Sequence, residues 1–292
     1  MCGIAGYFGN SSVSENSIKE TLKLMANRGP DFSKHLSFKL SNSLNLYFLH
    51  SRLGIIDLHP RSNQPFQLDD DIIIYNGEIY NYLELANNLI SKKIKLKTNS
   101  DTEVLLNYYK IYGEKCVNYF EGMWSFAIFN MKKRELFLSR DRFAEKPLFF
   151  YHSNKGIYFG SETKFIKSLS NIDFEVNEKR ISSYLSFGYK SLFKNRETYF
   201  KKINSVLNAE NLKIDEKLNL NIHKYWSPKA SIDKKITTND AKEKIRELLI
   251  QTVKLRTRSD VPQAFCLSGG IDSGAIASIA VKKLNQKIKT FS

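Results

Sequence analysis

Met1-Cys2-Gly3-Ile4-Ala5-Gly6-Tyr7-Phe8 opens the chain. Gly3 to Phe8 reads as a short apolar strand, so the N-terminus is buried from the start. Just ahead of it stands a cysteine. An initiator methionine is usually removed when a small residue follows, and the mature chain would then begin with Cys2. That residue would carry both a thiol and a free α-amine. An α-amine titrates near pH ~8, far below a lysine, and can take the thiol proton at neutral pH. Nucleophile and base would then share one residue.

The chain has 292 residues, 42% hydrophobic and 13% aromatic, enough for two domains with ample core. It has no apolar run long enough for a membrane helix and no basic-then-apolar leader. Cys2, Cys116 and Cys266 are too far apart for a disulfide framework or a Cys-x-x-Cys metal site. Cys116 and Cys266 read as structural, the five histidines lack ligand spacing, and no protein-built metal site is expected. A reducing cytoplasm fits. The net charge of +15 raises nucleic acid as a partner. However, the lysines are spread along the whole chain. Neither Lys92-Lys93-Ile94-Lys95-Leu96-Lys97 nor Lys132-Lys133-Arg134 carries the aromatics of a stacking surface. Neither nucleic acid nor membrane is expected as a partner.

Outward from the first strand, apolar runs at Leu44–His50, Ile72–Tyr75, Met123–Phe129, Glu135–Ser139, Leu148–Tyr151 and Gly156–Phe159 predict strands. Helices are predicted at Ser17–Ala26, with Ser17 and Glu20 as a capping box, at Tyr82–Ile90, and at Thr102–Tyr112 behind Ser100-x-x-Glu103. Many strands with few helices argue for sheets packed face to face with helices outside. Past residue 170, Ile181–Phe187 predicts a short helix and Thr198–Leu220 a pair of strands. Tyr225–Thr238 reads as a linker containing Pro228. An amphipathic helix capped by Asp240-x-x-Glu243 follows, then a strand at Gln263–Leu267, a Gly-Gly turn, a helix at Ala275–Leu284 and a strand beginning at Ile288.

That turn is Leu267-Ser268-Gly269-Gly270-Ile271-Asp272-Ser273. Between a strand and a helix, two glycines let backbone N–H groups converge on an anion, and the helix dipole adds to the attraction. Hydroxyls of Ser268 and Ser273 suit phosphate oxygens. With no lysine after the glycines, it is not the Walker pattern.

Taken together, these pieces resemble the glutamine-hydrolysing asparagine synthase family. The matching motifs run in order along nearly the whole chain. They are Met1-Cys2-Gly3-Ile4-Ala5-Gly6, Arg28-Gly29-Pro30-Asp31, Arg52-Leu53-Gly54-Ile55-Ile56-Asp57, Gln64-Pro65, Tyr75-Asn76-Gly77-Glu78-Ile79-Tyr80-Asn81, Ser100-Asp101-Thr102-Glu103, Gly122-Met123-Trp124-Ser125-Phe126-Ala127, Arg140-Asp141-Arg142-Phe143, Glu145-Lys146-Pro147-Leu148 and the Ser-Gly-Gly-x-Asp-Ser loop. The resemblance implies an α+β fold. A four-layer α/β/β/α sandwich of Ntn-hydrolase type would be followed by the truncated beginning of an α/β parallel-sheet nucleotide-binding domain. The implied division is residues 2–170 for a type-2 glutamine amidotransferase domain, 171–238 for a connecting segment, and 239–292 for the start of an ATP-binding synthetase domain.

The resemblance further implies that Cys2 attacks the glutamine carboxamide, with its α-amine as base. Asn76 and the Gly77 N–H would form the oxyanion hole. Arg52 would pair with the substrate α-carboxylate, and Glu78 and Asp101 would face its α-ammonium. In the second domain Leu267 would lie near ATP, and Ser268, Gly269, Gly270, Asp272 and Ser273 would cradle its phosphates, with Mg2+ screening their charge. ATP would activate aspartate, and ammonia would convert it to asparagine with release of AMP and pyrophosphate. Taken singly, Asn76-Gly77 reads as a hairpin turn, Asp101 as a helix cap and Arg52 as a surface arginine.

The chain departs from the family at Asn27 (histidine expected), Ala144 (glycine), Val206-Leu207-Asn208-Ala209 (a Leu-Pro-Pro-Gly-like turn) and Gly274 (serine). A synthetase domain would run about 200 residues further, so the expectation is a glutaminase-competent fragment. A homodimer, or a partner carrying the remaining synthetase part, would complete it. Two other readings remain open: an amidotransferase for another carboxylate acceptor, such as a surface-polysaccharide sugar, and a non-catalytic remnant that binds glutamine or a partner domain.

Overall fold

Side chains alternate between the two faces of a strand. In β1 (Gly3–Gly9) Ile4 and Phe8 take one face and Ala5 and Tyr7 the other, and all four are fully buried. A strand covered on both sides must lie inside a layered stack. The computed structural model, which describes residues 1–40, 44–189, 195–233 and 235–292, places it there.

β1 pairs antiparallel with β3 (Asn45–Arg52) and β9 (Gly156–Gly160). With β2 (Phe32–Lys39), β8 (Phe149–Ser153) and β10 (Asn204–Ser205) they form a six-stranded sheet in the order β10-β8-β9-β1-β3-β2. A second sheet holds β4 (Phe66–Leu68), β5 (Asp71–Ile79), β6 (Gly122–Asn130), β7 (Glu135–Arg140), β11 (Glu210–Ile214) and β12 (Leu220–Lys224) in the order β12-β11-β7-β6-β5-β4. Between the sheets Ile4, Phe8, Leu46 and Phe48 meet Ile72, Ile74, Phe129 and Leu138. Burying each such side chain is worth about 1.5–3 kcal/mol.

Outside the first sheet lie α1 (Glu15–Met25) and α4 (Thr163–Ser170), whose Ile18, Met25, Phe165 and Leu169 pack with Ala5, Tyr7 and Leu49. Outside the second lie α2 (Tyr82–Ser91) and α3 (Asp101–Tyr112), whose Leu89 and Leu105 pack with Ile73, Tyr75 and Phe126. The result is the expected four-layer α/β/β/α sandwich.

Helix starts differ from the sequence reading. α1 is capped by Ser14, which accepts from Ser17 N, one turn before the predicted Ser17–Glu20 box. Ser100 does cap α3, but Glu103 does not reach back to it. Its carboxylate accepts from Lys97 N and Thr98 N instead. The predicted helix at 181–187 is α5 (Glu178–Phe187). Residues 204–224, read as part of the connecting segment, supply β10 to one sheet and β11 and β12 to the other.

Contacts divide the chain into two units, Met1–Gly54 with His59–Ser227, and Ile55–Leu58 with Pro228–Ser292. The second contains α6 (Thr238–Arg256), β13 (Ala264–Cys266), α7 (Ile271–Lys282) and β14 (Lys289–Phe291). α6 is capped by Thr237, which accepts from Asp240 N, rather than by Asp240. β13 and β14 pair in parallel across α7, with Ala264 opposite Lys289 and Cys266 opposite Phe291, a βαβ crossover. Its apolar surface is largely uncovered. Ile271 is 89% exposed, and Ile245, Leu248, Leu249 and Phe291 are exposed too. Cys266 is exposed, whereas Cys116 is buried in the second sheet's helix-side core.

The family departures have local reasons. Asn27 is an exposed turn residue. Ala144 and Ala209 stand where glycine was expected, and both have left-handed backbones, with φ of 57° and 56°. Such a conformation costs a non-glycine residue about 1–2 kcal/mol, of which glycine's extra unfolded-state entropy offsets about half. Ala144→Gly is therefore expected to stabilise the protein by about 0.5–1 kcal/mol. Denaturant unfolding checks this; an unchanged or lowered midpoint would contradict it.

Candidate active site

Alternation assembles the site. The face of β1 that turns Ile4 and Phe8 into the inter-sheet core also carries Cys2, one residue before the strand. On β3 Leu46 and Phe48 face inward, and His50 and Arg52 follow by the same period. Gly3 pairs with Ser51, so the next step of the register sets Cys2 beside Arg52. On β5, in the opposing sheet, Ile72 and Ile74 face inward, and Asn76 and Glu78 follow. Even-numbered positions from three strands thus converge at one end of the space between the sheets.

Cys2 is held by the backbone just after β3. Leu53 N donates to Sγ at 3.3 Å, and Sγ lies 3.6 Å from Leu53 O. Burial pushes the Cys2 thiol up, and the charge of Asp101 adds to this, while the Leu53 hydrogen bond, the terminal amine and Arg52 pull it down. The thiol is therefore neutral at neutral pH and needs a base. His50 cannot serve: burial lowers its pKa to about 3, and its Nε2 contacts Tyr75 O at 3.1 Å. The α-amine is a second candidate. On the unprocessed chain it belongs to Met1, and burial is the first cause lowering its pKa.

Asn76 and Gly77 do not form a hairpin turn. They lie within β5, with Asn76 opposite Ser125 and Gly77 opposite Trp124 on β6. A Cβ on Gly77 would come within 2.2 Å of Met123 O and 2.8 Å of Trp124 Cα, so the two strands approach too closely for any side chain. Asn76 Nδ2 is buried with no hydrogen-bond partner among the described residues. Leaving a buried donor unmet costs about 1–3 kcal/mol. Native proteins keep such a group where something else fills it.

Arg52 is buried and braced by the turn after β3: Nη1 donates to Asn63 Oδ1 at 2.7 Å and to His59 O at 3.3 Å. Asp101, at the start of α3, reaches the end of β5. Its Oδ2 accepts from Tyr75 OH at 2.9 Å and Ile79 N at 3.0 Å. Burial pushes Asp101 up to about 6 against these bonds. Glu78 is pushed up to about 7, by burial first and then by the charge of Asp101, with Lys146 and the terminal amine opposing. Two carboxylates in one enclosed place resist joint ionisation, so they are prepared for a cation.

Two residues here were quoted within motifs but given no role from sequence. Arg28 donates from Nε to Cys2 O at 2.9 Å and pairs with Glu162 at 3.0 Å, which fixes the backbone at Cys2. Lys146 is buried, with its Nζ 3.1 Å from Met1 Sδ. Only the recurrence of their motifs beside the others could have signalled them. Asp31, from the Arg28 motif, accepts from Gly54 N at 2.7 Å and so ties that turn to the segment holding Cys2.

The second predicted site lies in the second unit, between β13 and α7. Leu267 N donates to Phe291 O at 2.7 Å. Gly269 adopts φ +80° and Gly270 caps α7. The Ser268 and Ser273 hydroxyls are 3.1 Å apart, and Ser268 N donates to Ser273 Oγ at 3.3 Å. Ser268, Gly269, Gly270 and Asp272 are exposed at the helix N-terminus, with Ser273 partly so. Gly274 lies in the first turn of α7, its N–H bonded to Gly270 O. No helix among the described residues is long and apolar enough to cross a membrane.

The architecture is that of the Ntn-hydrolase glutamine amidotransferases, with a cysteine at the head of the first strand. A glutamine phosphoribosylpyrophosphate amidotransferase from B. subtilis, solved with ADP and GMP, superposes with a TM-score of 0.55 at 15% identity, covering 99% of this chain and 65% of that one. At that identity the likeness is one of fold. The glutamine amidotransferase domain family matches residues 1–226, and the asparagine synthase family matches 244–292. Asparagine synthetases [glutamine-hydrolyzing] 1 and 3 of Bacillus subtilis are each 33% identical, covering 100% and 96% of this chain and 45% of their own length. The chain belongs to the glutamine amidotransferase family, joined to an asparagine synthase segment as in the glutamine-hydrolysing asparagine synthetases. It spans about half the length of these relatives.

The carboxylate pair is directly testable. Removing the Asp101 charge takes away one of the causes that raise Glu78, so Asp101→Asn is expected to move Glu78 down from about 7 toward the ordinary glutamate range. An NMR titration of glutamate side-chain carbons reads the shift. An unmoved Glu78 would show that the two do not share a site.

Proposed function

We propose that the first unit hydrolyses glutamine to glutamate and ammonia at Cys2. The observation that carries this reading is the unpartnered, buried Nδ2 of Asn76, on the inner face that opposes that of Cys2 across the space between the sheets. An amide donor kept dry and unmet is what a developing oxyanion requires.

In this reading removal of Met1 frees the Cys2 α-amine, which takes the thiol proton as Sγ attacks the carboxamide carbon. Asn76 Nδ2 and the Gly77 N–H receive the oxyanion. Arg52, oriented by Asn63 and His59, takes the α-carboxylate, for which a planar guanidinium is suited. Glu78 and Asp101 receive the α-ammonium, and its charge relieves their mutual repulsion. The proton returns to the leaving nitrogen, ammonia departs, and water then releases glutamate from the thioester.

In the second unit Ser268, Gly269, Gly270, Asp272 and Ser273 would hold the phosphates of ATP, with Leu267 beside the nucleotide and Mg2+ carried in with it. The left-handed Gly269 and the open N-terminus of the twelve-residue α7 support this. ATP would supply the activation that lets ammonia displace an oxygen from a carboxylate. We propose aspartate as that carboxylate, by analogy with the names of the relatives.

Cys2→Ala is expected to abolish glutamine hydrolysis. Asn76→Ala is expected to lower kcat about 10²–10³-fold with a small change in KM, because the lost bond forms only in the transition state. Steady-state glutaminase assays on protein whose intact mass shows Met1 removed check both. Hydrolysis that survives Cys2→Ala, or an Asn76 effect confined to KM, would overturn the reading.

A further inference from the structure

Two of the motifs, Arg140-Asp141-Arg142-Phe143 and Glu145-Lys146-Pro147-Leu148, have no task in the hydrolysis described above. The structure gives them one. Asp141 is fully buried, and its carboxylate accepts from four backbone N–H groups: Trp124 at 3.2 Å, Phe143 at 3.0 Å, Glu145 at 2.9 Å and Lys146 at 3.0 Å. Arg140 closes the same turn from the other side. Its Nε donates to Lys146 O at 2.6 Å, its Nη2 to Ala144 O at 2.9 Å, and its Nη1 to Ser205 Oγ at 3.1 Å and to Val206 O. Charge-assisted bonds to so many backbone groups make a rigid mount, and the side chain it presents is Lys146.

Lys146 is 5% exposed. The one hydrogen-bond partner of its Nζ among the described residues is Met1 Sδ, at 3.1 Å, and a thioether is a weak acceptor. Loss of Met1 removes that contact and leaves the buried ammonium at the end of the chain where Cys2 becomes the first residue. The charged groups around the terminus are Arg28 and Lys146, which disfavour protonation of an amine there, and Asp31, Glu78 and the Cys2 thiolate, which favour it. Around Lys146 stand Glu78, Cys2 and Glu145, which favour its charge, and Arg28, which opposes it.

We propose that Lys146 is a positioning residue for the hydrolysis, its fixed ammonium standing beside the mature Cys2 α-amine and, with Arg28, keeping that amine a free base at neutral pH. Glu78 holds the lysine's own proton in place. The two cations have separate roles: Arg28 grips the Cys2 carbonyl, and Lys146 makes no bond to Cys2 and acts through its field. Taking one cation away makes the amine easier to protonate. The base form then appears only at higher pH, so the acid limb of the rate profile moves up.

This rests on the reading of Cys2 as nucleophile, which Cys2→Ala tests separately. The test of Lys146 is the pH profile of kcat/KM for glutamine in the wild type, Lys146→Met and Lys146→Arg. Lys146→Met is expected to raise the acid limb by about one pH unit, with KM at high pH within about twofold of wild type, and Lys146→Arg to restore the limb. A limb unmoved in Lys146→Met, or moved as far in Lys146→Arg, overturns the proposal. A second measurement needs neither a variant nor turnover. In the Met1-free wild type, pH-dependent labelling by an amine-reactive reagent is expected to show the α-amine titrating below the ordinary value of about 8. Titration at or above that value overturns the proposal even if Lys146→Met does not fold.

Discussion

Burial of the first strand on both faces is the constraint on which the rest depends. β1 has apolar groups on each side, Ile4 and Phe8 toward one layer and Ala5 and Tyr7 toward the other. It can be satisfied only by a second sheet in front and helices behind. Once it is placed, the N-terminus has no freedom: Cys2 must emerge at the end of the inter-sheet space. Leu53 N and the Arg28 side chain then fix its sulfur and its carbonyl. A chain end would ordinarily fray. Here the end is the edge of the core, and the core itself positions Cys2.

The electrostatics of the site follow from the same enclosure. Burial pushes Glu78 and Asp101 up toward neutrality and pushes the Cys2 thiol up, while it lowers the terminal amine and Lys146. Each of these five groups is shifted by burial toward its uncharged form. Such a site is poised to respond to a zwitterion bringing one charge of each sign. The desolvation that stabilises the fold through its apolar groups is, for these polar ones, the source of their reactivity.

The two units stand in contrast. In the first, the Asp141 carboxylate and the Arg140 guanidinium together make five hydrogen bonds to backbone groups of the turn at residues 143–146. In the second, a parallel strand pair and two helices leave Ile271, Leu248 and Phe291 exposed. A βαβ unit of this size has too little apolar surface facing inward to close a core. Its local geometry at Gly269 and Gly270 is nonetheless formed, because a turn needs only its own residues.

Much of this was legible in the sequence because it is local. Period-two alternation marks β1, β3 and β6, the glycines mark the loop before α7, and Ser100 marks the start of α3. The ordered motifs named Cys2, Arg52, Asn76, Gly77, Glu78 and Asp101 together. Where the sequence reading slipped, a competing local option had won: Ser14 displaced Ser17 as a cap, and Asn76-Gly77, a turn signal by itself, was drawn into β5 by pairing with β6. What the sequence determined by itself was which residues share a strand face and which turns can bind. The tertiary structure alone decided that the inner faces of β1, β3 and β5 meet at one end, and that a distant turn sets Lys146 against Met1, 145 residues away. Alternation is a property of one strand, whereas the convergence of faces depends on which strands pair and how two sheets stack, and that is settled only when the whole core is buried.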